Sequence, residues 1–101
     1  MNAHYSLHDI QTKLYPVLEA NHIVRAVVFG SYAKGNASEF SDLDLMIDSG
    51  GKVKGIDFYG ILEEMVSALN MKVDLIEASQ LIEGGRVQSE IQTTGVIIYG
   101  K

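Results

Sequence analysis

The sequence predicts one small domain of mixed α and β structure, in which helices and strands alternate along the chain. A length of 101 residues suits one compact unit. The hydrophobic fraction of 47% and the charged fraction of 21% are typical of a folded protein and exclude a disordered chain. Apolar residues recur at helical spacing in some segments and form short β-branched runs in others. We therefore expect a single α+β (α/β) domain over residues 1–101.

The helices are predicted from apolar residues at three- and four-residue spacing. The first has Ser6 as its N-cap and contains Pro16, which indicates either a kink or a division into two helices. The second is expected to end at Asn70, and the third, over residues 79–94, to break at two adjacent glycines. The apolar positions are Leu7, Ile10, Leu14, Val17 and Leu18; Phe58, Ile61, Leu62, Met65, Val66 and Leu69; and Leu81, Ile82, Val87 and Ile91.

Four short runs rich in β-branched and aromatic residues are predicted strands. They are Arg25–Phe29, Ser41–Asp48, Lys72–Ile76 and Gly95–Tyr99. The first is followed by a segment, residues 30–41, that we expect to be a loop with at most one helical turn. Successive side chains of a strand alternate between its two faces, so Asp42 and Asp44 are expected on one face of the second strand.

Charge and composition exclude several classes of function. Eight Lys and Arg against thirteen Asp and Glu give a net charge of −5, so nucleic acid is not expected as the main partner. The sequence has no cysteine, which removes disulfides, thiolate metal sites and thiol nucleophiles. No apolar run approaches the length of about eighteen residues that a membrane span needs, and Met1–Leu14 lacks the apolar core of a signal peptide. We expect a cytoplasmic protein without a membrane partner.

The acidic residues and one glycine turn together predict a site for phosphate and metal. Asp42 and Asp44 are two residues apart, so one cation can contact both, and Asp74 is the natural third ligand if its strand pairs beside theirs. Oxygen ligands without Cys or a nearby His favour Mg²⁺, which commonly takes one or two carboxylates plus phosphates and waters. Gly30 and Ser31 end a strand, where backbone amides and a hydroxyl can bind phosphate oxygens. Such a site suits a triphosphate with two divalent ions, and hence nucleotidyl transfer.

The spacing of these residues resembles a known signature. Gly30-Ser31, ten intervening residues and then Asp42-Leu43-Asp44 match the Gly-Ser-x10-Asp-x-Asp pattern of the polymerase-beta-like nucleotidyltransferases. The stretch over residues 29–45 is similar to the minimal nucleotidyltransferase (MNT) branch in particular. The segments 72–76 and 94–100 resemble the third-acid strand and the usual ending of this family, so the resemblance covers nearly the whole chain.

The resemblance implies a fold, an activity and a partner. The fold is a small mixed β-sheet with helices packed on one face. The activity is transfer of AMP from ATP, with two Mg²⁺ ions bound by the catalytic acids Asp42, Asp44 and Asp74. Gly30 and Ser31 would hold the nucleotide phosphates. Many members of this size are encoded beside a helical HEPN-domain protein as antitoxin and toxin, and they modify a tyrosine of that toxin.

Other interpretations of the same residues lead to different functions. Lys34 stands where relatives usually have arginine, which keeps the charge and loses the planar fork that contacts phosphate in two places. The acids could form a solvated strand face, or the chain could be a binding module that neutralises its partner by contact alone. An EF-hand is excluded because Ile47 and Val53 occupy its glycine and glutamate positions. A P-loop is excluded because Asn36 and Ala37 replace its Lys and Ser or Thr.

Overall fold

A computed structural model describes residues 5–100, which form four α-helices and one four-stranded sheet. The helices are α1 (Leu7–Ala20), α2 (Ser31–Lys34), α3 (Ile56–Leu69) and α4 (Arg86–Thr94), and the strands are β1 (Arg25–Phe29), β2 (Leu43–Asp48), β3 (Val73–Glu77) and β4 (Val96–Tyr99). The sheet has the order β3-β2-β1-β4, with β2 parallel to β3 and β1 antiparallel to both β2 and β4. The predicted alternation and the mixed sheet are confirmed. None of the helices in this part of the chain is long and apolar enough to cross a membrane.

Both faces of the sheet are covered, because its central strands carry apolar side chains on both sides. The two long helices, α1 and α3, pack on one face, as expected. Their core contains Ile10, Leu14, Leu18, Ile61, Met65 and Leu69 of the helices, with Ala26, Val28, Leu43, Leu45 and Ile47 of the sheet. The shorter α4 lies over the opposite face, which the expected arrangement of helices on one face did not include. The apolar cluster there contains Val27, Phe29 and Met46 of the sheet, with Val87 and Ile91 of α4 packed against them.

The ends of the helices follow from their capping residues. Ser6 Oγ accepts a hydrogen bond from the Asp9 amide and the Asp9 carboxylate accepts one from the Ser6 amide, each at 3.1 Å, so α1 begins with a capping box. Pro16 lies inside α1, which continues past it as one helix and is not divided. Asn70 ends α3 in the left-handed conformation with φ of +53°, as its position predicts.

The segments around the glycines behave as the sequence predicts. The loop after β1 contains one helical turn, α2. The last predicted helix is broken: residues 78–80 form a short 3-10 helix, and α4 begins only at Arg86. Gly84 lies between them with φ of +77°, a conformation that ends helical structure and that glycine adopts without strain.

A buried carboxylate joins β2 and β3 at their C-terminal ends. Glu77 is 3% exposed and accepts hydrogen bonds from the amides and hydroxyls of both Ser49 and Ser79, at 2.6–2.9 Å. Burial alone raises the pKa of Glu77, but these hydrogen bonds to its charged form outweigh burial and lower its pKa to about 2. The network therefore ties together the two connections that leave these strands.

We expect Glu77→Gln to lower the free energy of unfolding at pH 7 by about 2–3 kcal/mol, because an amide cannot accept all four hydrogen bonds. The pKa of Glu77 in the folded protein is below its ordinary value of 4.5. Its stabilising effect is therefore present above pH 4.5 and is lost as the pH falls toward about 2. Urea unfolding at pH 7 and pH 3 measures both effects, with the exposed Glu83→Gln as control. A loss in the control equal to that in the Glu77 variant would contradict the assignment.

Candidate functional site

Three strand ends meet at one edge of the sheet. Because β1 is antiparallel to β2 and β2 is parallel to β3, Asp44 pairs with Phe29 on one side and with Asp74 on the other. Paired residues of neighbouring strands are about 5 Å apart and point to the same face. The structure thus brings Asp44 and Asp74 side by side, on the face of the sheet that carries α4.

Asp42 lies just before β2, which differs from the expectation that it shares the strand with Asp44. The parallel ladder starts at Leu43, whose partner Val73 is the first residue of β3, so Asp42 has no strand residue to pair with. Its side chain is exposed. Its negative charge nevertheless acts on Asp44 and raises the pKa of that carboxyl, so Asp42 belongs to the same acidic group.

Gly30 lies directly against the Asp44 carboxylate. It has φ of +73° and ψ of −149°, a conformation that residues with a side chain rarely adopt. A Cβ at this position would lie 2.1 Å from Asp44 Oδ2, far inside contact distance. Glycine therefore allows the turn after β1 to close against the acid of the neighbouring strand.

Ser31 follows this turn as the first residue of α2. It is half-buried, and within residues 5–100 its hydroxyl makes no hydrogen bond. Gly30 provides no side-chain cap, so the amides of the first helical turn have no partner within α2. Amides and a hydroxyl in such a turn are donors for phosphate oxygens. Lys34 is exposed at the other end of α2, whereas Tyr32 packs into the core.

Asp44 is surrounded mainly by like charges. Burial raises the pKa of Asp44, and the negative charge of Asp74 raises it further. Glu90 and Asp42 act in the same direction, whereas Arg86 opposes them. A cation bound among these carboxylates would relieve this repulsion, and a set of oxygen ligands suits a hard divalent ion such as Mg²⁺.

The residues present fit such an ion, although they do not form a finished metal cage. In the part of the chain that the structure describes, no three His, Asp or Glu side chains are already grouped to hold a metal. Mg²⁺ does not need such a group, because it keeps several waters and takes one or two carboxylates together with phosphate oxygens of the substrate. Asp44 and Asp74 offer two carboxylates at adjacent positions. The site therefore fits an ion that arrives with a nucleotide.

Two charged residues near the acids were missed by the reasoning from sequence. Arg86 and Glu90 lie one turn apart on α4 and form an ion pair at 2.6 Å. Their four-residue spacing is visible in the sequence and predicts that they can pair. Nothing in the sequence indicates that α4 packs on the face of the sheet that carries Asp44, and this packing brings the two charges to the site.

Strand order, paired acids and the glycine turn together define a nucleotidyltransferase domain. The family model described as Polymerase beta, Nucleotidyltransferase matches residues 12–101. The chain therefore belongs to the polymerase beta nucleotidyltransferase family.

One similar protein of known sequence is named as an enzyme that modifies proteins. The "Putative protein adenylyltransferase MJ0435" of Methanocaldococcus jannaschii is 30% identical over 71 residues, which cover 70% of this chain and 76% of the relative. The family signature recognised in the sequence is thus supported by overall similarity.

Solved structures of toxin–antitoxin complexes contain a chain with the same fold. A chain from a toxin–antitoxin structure with AMP-PNP aligns with a TM-score of 0.78 and 22% identity, over 90% of this chain and 73% of its own length. A chain from the tri-AMPylated Shewanella oneidensis HEPN toxin in complex with MNT antitoxin aligns with a TM-score of 0.73 and 20% identity, over 94% and 73%. At these identities the likeness establishes the fold.

Proposed function

We propose that this protein transfers AMP from ATP to a hydroxyl group of a HEPN-domain toxin and acts as its antitoxin. The observation that carries the proposal is the placement of Asp44 beside Asp74, with Gly30 of the Gly30–Ser31 turn against Asp44. It is supported by the M. jannaschii relative, named as a protein adenylyltransferase, and by the shared fold with a complex of an MNT antitoxin and an AMPylated HEPN toxin. The acceptor that we propose is a tyrosine hydroxyl.

In the proposed reaction the hydroxyl oxygen of the acceptor attacks the α-phosphorus of ATP. A phosphodiester bond to AMP forms, the bond from the α-phosphorus to the bridging oxygen breaks, and pyrophosphate leaves. Asp74 accepts the proton of the attacking hydroxyl, while the Gly30–Ser31 turn holds phosphate oxygens. Two Mg²⁺ ions held by Asp42, Asp44 and Asp74 would neutralise phosphate charge and align the attacking and leaving oxygens.

The openness of the site favours a protein as the acceptor. Asp42 and Asp74 are exposed, and Asp44 is only partly covered. Sites for small molecules usually enclose most of the ligand, whereas these acids lie at the edge of a sheet that another protein can approach. A hydroxyl on the surface of a partner can therefore reach the nucleotide.

The test combines the complete protein with the product of the neighbouring gene, Mg²⁺ and ATP labelled in its α-phosphate. We expect label on the partner and release of pyrophosphate, because AMP is the group that moves. Chelation of Mg²⁺ should stop the reaction, and readdition should restore it. ATP labelled in its γ-phosphate is the matched control and should leave the partner unlabelled. Label from the γ-phosphate, or none from either, would contradict the proposed activity.

A further inference from the structure

One positively charged side chain near the acids, that of Arg86, has no role in the reaction described so far. Arg86 is the first residue of α4, and its Nη1 donates to Glu90 Oε2 at 2.6 Å. The Arg86 side chain is 80% exposed and that of Glu90 is 25% exposed. An ion pair at this spacing whose cation is largely exposed is weak, because water screens the charges and both side chains lose freedom. The guanidinium can therefore exchange Glu90 for a more strongly charged anion.

The packing of α4 places Arg86 on the face of the sheet that carries Asp44 and Asp74. Val87, the next residue, packs with Ile91 against the central strands, which fixes the start of the helix. Arg86 also lines a cavity of about 140 Å³ with Ile76. Ile76 lies two residues beyond Asp74 in β3, and so on the same face of the strand.

A positively charged side chain that faces the nucleotide would reduce the repulsion between negative charges at this site. Asp42, Asp44, Asp74 and Glu90 are all acidic, and a polyphosphate adds further negative charge. Arg86 is the basic residue of α4, and α4 packs on the face of the sheet where Asp44 and Asp74 lie. Its planar guanidinium can donate two parallel hydrogen bonds to a phosphate, which a lysine cannot do.

We propose that Arg86 leaves Glu90 when ATP binds and donates hydrogen bonds to the polyphosphate tail beyond the α-phosphate, the part that becomes pyrophosphate. In the absence of nucleotide Glu90 pairs with the guanidinium, and it therefore competes with ATP for Arg86. The inference rests on the proposed function for the identity of the nucleotide. It adds a substrate-binding residue from α4, an element outside the Gly-Ser-x10-Asp-x-Asp pattern.

Binding of Mg-ATP and Mg-AMP to the complete protein, measured by calorimetry without acceptor, tests this inference. We expect Arg86→Gln to weaken ATP binding by about tenfold or more and to leave AMP binding within about twofold of wild type. Glu90→Gln should tighten ATP binding, because it frees Arg86 and removes a negative charge. Lys52→Gln removes the same charge as Arg86→Gln from an exposed position after the far end of β2, and should change neither affinity.

The kinetics of AMP transfer to the acceptor are a second measurement. If Arg86 only stabilised the fold, its replacement would not selectively change the KM for ATP. Arg86→Gln should raise the KM for ATP more than it lowers kcat, and Arg86→Lys should recover part of the loss. Unchanged ATP binding by Arg86→Gln, or an equal loss for ATP and AMP, overturns the inference. If wild type binds ATP but transfers no AMP, the proposed function is wrong, and the binding measurements alone test whether Arg86 binds the polyphosphate. If wild type binds no nucleotide, both are overturned.

Discussion

Replacement of Asp44 by asparagine is expected to slow AMP transfer by about a thousandfold or more, because a charged ligand of the proposed metal site is lost. The protein should still fold. Burial and neighbouring negative charges raise the pKa of Asp44 above its ordinary value, so the charge on this carboxylate lowers the stability of the folded state at neutral pH. Asp44→Asn should therefore unfold at an equal or higher urea concentration than wild type. Single-turnover labelling of the partner from α-labelled ATP measures the rate.

The matched control is Asp48→Asn, on the same face of the same strand. Asp48 Oδ1 accepts a hydrogen bond from the Gly50 amide at 2.9 Å, at the end of β2 away from the acids. This variant should keep wild-type transfer. If Asp44→Asn also keeps it, the enzymatic assignment is wrong. If Asp44→Asn loses transfer yet protects toxin-producing cells as well as wild type does, neutralisation by contact is the correct explanation of antitoxin action.

Gly30→Ala is expected to lower the free energy of unfolding by about 3 kcal/mol and to remove most of the transfer activity. The backbone at Gly30 is strained for any other residue, which alone costs about 1–3 kcal/mol. The added Cβ must also displace the Asp44 carboxylate, which lies 2.1 Å from its position. Urea unfolding and the labelling assay, carried out on the same preparation, measure the two effects.

Gly35→Ala separates backbone strain from the contact with Asp44. Gly35 has a similar φ of +78°, but its ψ of 16° lies in the left-handed helical region, and a Cβ there would meet nothing within 4 Å. It should cost about 1 kcal/mol and leave transfer intact. Equal effects of the two alanines on transfer would show that the close approach of Gly30 to Asp44 does not matter.

Much of the fold was predictable because its signals are local. The cap at Ser6, the bounds of β1 and the end of α3 at Asn70 each depend on a few neighbouring residues, and each is confirmed. The face on which α4 packs depends on contacts between distant segments. Apolar spacing shows that Val87 and Ile91 are buried, but it does not show against which face of the sheet.

The same distinction applies to the candidate site. The spacing from Gly30 to Asp44 identified residues that the structure brings into contact, because short turns and adjacent strands are close in sequence. The position of Asp42 within a strand was wrong, because the first residue of β2 is determined by where β3 begins, about thirty residues later. Arg86 was missed for the same reason: only the tertiary packing brings it near the acids.

The alternation of side chains in β2 limits how this chain can evolve. Leu43, Leu45 and Ile47 point into the core, and Asp44 between them points out toward the opposite face. A deletion or insertion of one residue within the strand would exchange these two sets, placing carboxylates in the main core and leucines at the acidic site. Natural variation in length should therefore be confined to the connections between the strands, while β2 keeps its length.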